Sequence, residues 1–328
     1  MIGWFRRLFE AASPAPAPLV PSETVEPAPA PASAATPAPL HVAAIDRHFY
    51  RLLAGTPADG AGAALEKTIL DEMARLVRDP YSAAGLVPRV PAVIPQLLGS
   101  LRDETLSGAD LARQVAQDVV LVAEVIREAN SPYYRPAQPV KTIEGAVMLL
   151  GQNGLRMLLA RVAFRPVIGL QSGRYARQAA PLVWTQSEQC ALAASTLAAG
   201  MNANPFDAYL AGLMHNIGLI VAFRLIDQIT PATAPAGLPD GPAFCAALFA
   251  QARALSAVIA SEWNFPDTVA GAIATPRATP LGLALNLGDR VAKLRLLVDS
   301  AALEAGAALA GLDAPLVRCF DQLQARQD

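Results

Sequence analysis

Asn204-Pro205-Phe206-Asp207-Ala208-Tyr209-Leu210-Ala211-Gly212-Leu213-Met214-His215-Asn216-Ile217-Gly218-Leu219-Ile220-Val221-Ala222-Phe223 is the stretch on which the reading of the fold turns. Asparagine followed by proline is the pairing of a helix cap with a first-turn residue. The Asn side chain accepts from free amides, and proline lacks a donor that would go unused there. The apolar spacing beyond it predicts one long helix to about Ile226, with Leu210, Met214, Ile217 and Val221 as its buried face. His215 falls to one side, near Ala211 and Gly218. Ala208 to Phe223 is uncharged, but it is shorter than the roughly 20 apolar residues of a membrane span and carries His215 and Asn216 at its centre. Gln189 to Phe206, the other long uncharged run, is interrupted by Asn202, Asn204 and Pro205. Both are expected to be buried helices of a soluble protein.

The same punctuation extends outward in both directions. Ala43 to Leu53 and Ala63 to Val77 have helical spacing, and Asp79-Pro80 and Gly85 close this pair. Pro88, Pro91 and Pro95 set an extended lead-in and a short helix. Ser107 with Asp110 three positions on is a capping-box variant. A helix from Asp118 to Ala129 stops at Asn130-Ser131-Pro132, where Asn130 is expected to tolerate left-handed backbone and Ser131 to bond nearby main chain. Thr142 caps Ile143 to Leu150, and Gly151 ends that helix in a left-handed conformation. Gly241 to Trp263 reads as a further helix, Pro266 opens another, and Trp184 and Trp263 read as packing anchors. Alternating β-branched runs are nearly absent, so the fold class is all-α, a multi-helix bundle.

Composition narrows the function. Hydrophobic residues make up 53% of the 328 and charged residues 16%, with a net charge of −2. The basic residues are nearly all arginine, and Lys67, Lys141 and Lys293 are the three lysines. No basic stripe of the kind that binds nucleic acid stands out; Arg156, Arg161 and Arg165 come nearest and are expected on a solvated helix face. Cys190, Cys245 and Cys319 are too scattered for a disulfide framework or a paired zinc knuckle and read as small buried hydrophobes. Ser13 to Pro39 carries nine of the 28 prolines among alanines. It is expected to be a disordered, semi-rigid polyproline II spacer. Before it, Trp4, Phe5, Arg6 and Arg7 offer an interaction surface for a partner groove or a weak membrane-surface contact by residues 1–10, too short for firm anchoring. No secretory signal follows, and the expected location is the cytoplasm.

Read in order, Leu86-Val87-Pro88-Arg89-Val90-Pro91, Ser107 to Ala112, Asp118 to Ser131, and Ile143 with Ala146, Leu149-Leu150-Gly151 and Leu155-Arg156 form an ordered set of landmarks. Trp184 with Ser187, Ala211 to Gly218, and Trp263-Asn264-Phe265-Pro266 complete it. The set resembles the HDOD (HD-related output domain) family over about Leu86 to Leu294. That resemblance implies a bundle of HD/HDOD type and a role in bacterial signal transduction. The expected layout is an arm and linker at 1–40, a short helical segment at 41–85, the HDOD domain at 86–294 and C-terminal helices packing on it at 295–328.

HDOD domains are related to the HD phosphohydrolases, in which a His, a His-Asp pair and a distant Asp hold a divalent metal that activates water. The sequence is short of those ligands. Its three histidines are His41, His48 and His215, and the first two precede the matched region. Asn216 stands where the paired aspartate belongs, Ser187 where the first histidine is expected, and Asp289 matches the distant aspartate. At best two of four ligands remain, so neither a metal nor a cofactor is expected. Ser187, His215, Asn216 and Asp289 are read as the floor of a degenerate pocket, with a His215–Asp289 contact expected because buried polar groups need partners. No Gly-x-Gly-x-x-Gly, His-Glu-x-x-His or Gly-x-Ser-x-Gly pattern supplies other chemistry. The expected function is a non-catalytic regulatory module that binds protein partners and no nucleic acid. The alternative is a residual metal-dependent phosphohydrolase acting on a nucleotide or cyclic dinucleotide, drawing on ligands such as Glu188 or Asp207.

Overall fold

Side-chain caps mark the heads of several helices, and among the described residues the helices account for all regular structure. The computed structural model describes residues 40–55, 62–82, 85–88, 99–103, 105–131, 134, 136–169, 173–230 and 237–324. Among them are thirteen α-helices and no strand. The Pro/Ala-rich segment, with Trp4, Phe5, Arg6 and Arg7, lies outside the described residues, as do Pro91 and Pro95.

Helices α1 (Val42–Ala54) and α2 (Ala63–Arg78) come first. At the head of α3 (Gly108–Val115) both arms of the Ser107–Asp110 capping box are made. Asp118 caps α4 (Val119–Ala129) by accepting the Leu121 amide at 3.0 Å. The α4 terminus differs from the sequence expectation. Asn130 is absent from the positive-φ residues, and its side chain instead staples the loop, accepting from Val140 N–H and donating to Val140 C=O, each at 2.7 Å. The Ser131 hydroxyl has no hydrogen-bond partner. In α5 (Ile143–Gly169), Gly151 sits at φ 67° and ψ 176°. That region is open almost only to glycine, so the expected left-handed stop is a break, after which the helix resumes.

The C-terminal bundle is built on α6 (Arg174–Ala198), which packs mainly against α7 (Pro205–Met214) and α11 (Pro280–Asp299). Around them lie α8 (Ile217–Ile229), α9 (Pro242–Glu262) and α10 (Asp267–Ala274), with α12 (Ala305–Leu309) and α13 (Ala314–Gln324) at the end of the chain. The long helix expected from Pro205 is two helices. Asn216, at φ −105° and ψ 8°, leaves helical geometry, and the Gly218 amide donates to the Ser256 hydroxyl of α9 at 2.9 Å rather than to its own ladder. The expected stripe on α7 is also missing, because every residue from Asp207 to Met214 is buried. A Cβ on Gly212 would stand 2.4 Å from Ala191 Cα, so α6 and α7 touch backbone to backbone there.

α1 is part of this bundle. Phe49, Tyr50 and Leu53 are wholly buried, with Phe49 stacked on Phe249 at 6.1 Å and Tyr50 on Phe223 at 6.2 Å. Phe320 of α13 closes a second apolar cluster with α6 and α11. Among the described residues two stretches, Pro205–Ile229 and Pro242–Glu262, are long and apolar enough by length and composition to cross a membrane. The sequence reading passed over the second. The first contains the α7/α8 break and is almost wholly buried by the rest of the fold.

Candidate functional site

Asp289, on the α11 face turned toward α6, is buried at 4% exposure and gathers four partners. Its Oδ1 accepts from Gln186 Nε2 at 2.8 Å and lies 3.1 Å from His215 Nε2, the pair anticipated from the sequence. Its Oδ2 accepts from Lys293 Nζ at 2.8 Å and from Arg253 Nη2 at 3.3 Å. Burial works to raise this carboxyl, but Lys293, the His215 hydrogen bond and Arg253 outweigh it and hold Asp289 well below the usual carboxylate range. His215 is oriented from behind, with Nδ1 2.7 Å from the Gly212 carbonyl. A carbonyl only accepts, so Nδ1 carries a proton in this geometry. Asn216 Nδ2 donates to Gln186 Oε1 and joins the network.

Of the four residues expected at the pocket floor, His215, Asn216 and Asp289 converge. Ser187 does not join them: its hydroxyl is buried without a hydrogen-bond partner. Gln186, one residue earlier, takes its place, because one step along a helix turns a side chain by about 100°. Sequence reading also missed Cys190, whose Sγ and the His215 and Asp289 ligand atoms all lie within 4.8 Å of one another. Cys190 is one turn after Gln186 on α6, and that i, i+4 spacing was the available signal. Glu188 and Asp207, weighed as substitute ligands, are engaged elsewhere. Glu188 pairs with Arg161, while Asp207 meets Arg102 at 3.4 Å and Thr268 at 2.9 Å.

Of the arginines of α5, Arg165 is exposed as expected of a solvated face, while Arg156 and Arg161 turn inward. Arg156 is buried and donates to the Asp103 carbonyl at 2.6 Å. Arg161 reaches Glu128 of α4 at 2.6 Å and Glu188 of α6, and Arg165 reaches Glu128 at 3.3 Å. They cross-link α4, α5 and α6. Burial lifts the Glu188 carboxyl above its usual range even beside Arg161.

A buried histidine and aspartate on crossing helices, inside an all-α bundle, is what the sequence landmarks foretold. Residues 87–278 match the HDOD domain family. The chain belongs to the HDOD domain family. An uncharacterized protein of Treponema pallidum (strain Nichols) is 26% identical over 193 residues, which is 57% of this chain and 37% of that relative. The chain thus spans little more than a third of that relative's length. Among solved structures, an HDOD domain protein of unknown function from Geobacter sulfurreducens aligns at a TM-score of 0.54 and 21% identity, over 79% of this chain and 94% of its own. A Shewanella amazonensis SB2B protein, provisionally named a metal-dependent phosphohydrolase, also aligns at 0.54, with 16% identity over 81% of this chain and 100% of its own. A Marinobacter aquaeolei VT8 protein, provisionally named a signal transduction protein, aligns at 0.51 with 21% identity, over 83% and 65%. At these identities the likeness is one of fold. Asp289 and Lys293 of this HDOD chain lie beyond the matched residues.

The HD relatives imply a divalent metal, and the residues around Asp289 fit one poorly. A metal at Cys190, His215 and Asp289 needs a thiolate and a carboxylate free to bind. Burial instead pushes the Cys190 thiol well above its usual range. The Asp289 oxygens are committed to Lys293, Arg253, Gln186 and His215, and a divalent ion would sit against two fixed cations.

Proposed function

We propose that this HDOD chain is a non-catalytic signal-transduction module that works through protein–protein contacts. The observation that carries the proposal is the saturation of Asp289. A carboxylate that already accepts from a lysine, an arginine and an amide, with an imidazole beside it, has no open position for a metal-bound water. With Asn216 as a neutral amide and Ser187 outside the network, the centre holds helices together instead of activating a nucleophile. On this reading residues 86–294 form the HDOD domain, with 41–85 and 295–328 packed around it. Residues 1–40 act as an arm whose Trp4, Phe5, Arg6 and Arg7 engage a protein groove, with weak membrane-surface contact as a second use, and nucleic acid is not a partner.

The test is metal content together with hydrolysis. Purified full-length chain, incubated with manganese, iron or zinc and desalted, is expected to retain no stoichiometric metal and to leave a panel of nucleotides and cyclic dinucleotides uncleaved. Chelator-sensitive hydrolysis that His215→Ala abolishes overturns the proposal. The second reading, a residual metal-dependent phosphohydrolase, is favoured by one observation, the convergence of Cys190, His215 and Asp289. It requires Cys190 to ionise and Lys293 to withdraw.

A further inference from the structure

The environment of Lys293 differs from that of an ordinary salt-bridged lysine. Its Nζ is 2.8 Å from Asp289 Oδ2 on its own helix and 2.7 Å from Asp46 Oδ1 on α1, which lies 247 residues away in sequence. The same nitrogen lies 4.8 Å from the ring centre of Phe249 on α9 and 5.5 Å from that of Phe49 on α1. Two carboxylates and two aromatic faces, from three helices, therefore surround one ammonium that is 2% exposed. Ring faces attract cations most when water is excluded. Two carboxylates, Asp46 and Asp289, thus face two cationic side chains, Lys293 and Arg253, with the His215 imidazole beside them. This is a coordination shell with its cation already in it.

We propose that Lys293 is the resident cation of this centre. Its tethered ammonium fills, against Asp289, the place a divalent metal holds in a hydrolytic site, and it locks α1 onto the bundle through Asp46. The inference rests on the non-catalytic reading, and it makes a claim that reading does not. The site should retain the form of a cation site, so that removing the lysine side chain opens it to a soluble cation. With the ammonium gone from Asp289, a soft ion such as cobalt or zinc can use Cys190, His215 and Asp289 by displacing the thiol proton as it binds.

The experiment compares full-length wild type, Lys293→Ala, Lys293→Met and Lys293→Ala/His215→Ala. Thermal midpoints are measured in excess propylammonium chloride against tetramethylammonium chloride, and cobalt(II) titrations are followed by thiolate charge-transfer absorption. Lys293→Ala is expected to regain about 3 °C or more in propylammonium, since a small cation that binds only the folded state raises the midpoint. Lys293→Met, whose stem fills the space, is expected to regain nothing. Lys293→Ala is also expected to develop the cobalt–thiolate band, which wild type lacks and the added His215→Ala removes. Should Lys293→Ala not fold unaided, its soluble yield on refolding in the two salts gives the same comparison. Equal behaviour of Lys293→Ala in both salts overturns the proposal, as does a cobalt–thiolate band in wild type with Lys293 intact. Hydrolysis by wild type would instead sink the non-catalytic reading and leave the role of Lys293 to the rescue data.

Discussion

Asp289 is one carboxylate ringed by cationic and amide donors, whereas Arg161 is one guanidinium held between two carboxylates, Glu128 and Glu188. The first hub lies at the crossing of α6, α9 and α11 and draws in α1. The second joins α4 and α5 to α6. Their depths overlap. The Asp289, Lys293 and Glu128 side chains are 6%, 2% and 7% exposed, whereas Asp46 and Arg253 of the first hub are 21% exposed, and Glu188 and Arg165 of the second 18% and 52%. In the first hub the charges suffice to keep the carboxylate ionised against burial. In the second hub burial prevails at Glu188. A buried ion cluster is therefore stable or pH-sensitive according to how many opposite charges reach each member, and depth alone does not decide it.

The largest expected effect is at the first hub. Asp289→Ala leaves Lys293 with Asp46 alone and takes from Arg253 its acceptor here, and should cost about 3 kcal/mol in urea unfolding, the lower end of the usual penalty for breaking a buried pair. The sign of its pH dependence follows from the lowered carboxyl. A group whose folded pKa lies below its unfolded value, near 3.9, stabilises the fold above that value and loses the contribution as pH falls through the folded one. The gap between wild type and Asp289→Ala should therefore be full at neutral pH and narrow only in acid. A gap that persists unchanged at the lowest accessible pH would mean that charge is not its source.

Arg161→Met comes next, at about 2–3 kcal/mol, because Arg165 still serves Glu128 and the site is partly wet. A larger loss than that of Asp289→Ala, measured in the same urea series, would reverse the ranking of the two hubs. Gly212→Ala tests the scaffold beneath the first hub without touching a charge. A methyl group 2.4 Å from Ala191 Cα must push α6 and α7 apart, at a cost of about 1–3 kcal/mol. The chemical shifts of the His215 ring should move with it, since Gly212 supplies the carbonyl at Nδ1.

The smallest effects sharpen the contrast. Ser107→Ala, at a side chain that bonds only to Asp110 and to neither hub, should cost about 1 kcal/mol as a lost cap. Carboxyl NMR titration should find Glu188 titrating above the ordinary carboxylate range and Asp289 well below it. With its folded value above the unfolded one, Glu188 adds stability as pH falls through the folded value. Its protonation should precede any change at Asp289. The opposite order would end the comparison.

What the sequence alone determined is local. The Ser107–Asp110 box, the Thr142 and Asn204 caps, the end of the first helical stretch at Gly151 and the all-helical class are each set by residues within a few positions of one another, where backbone donors and dihedral limits decide. The His215–Asp289 pairing was also legible, because the family resemblance matched Asp289 to the distant aspartate of the HD site and a buried imidazole must find a partner. Tertiary structure decided the rest. Ser256 reaches across from α9 to split the expected long helix at Asn216. The phase of α6 brings in Gln186 and Cys190 and leaves Ser187 aside. Arg161 turns inward to Glu128 and Glu188 and Arg156 to the Asp103 carbonyl, and Lys293 finds Asp46 on a helix near the other end of the chain. Each of these depends on which helix faces open toward one another, and hydrophobic periodicity leaves that phase undetermined wherever a helix is buried on every side.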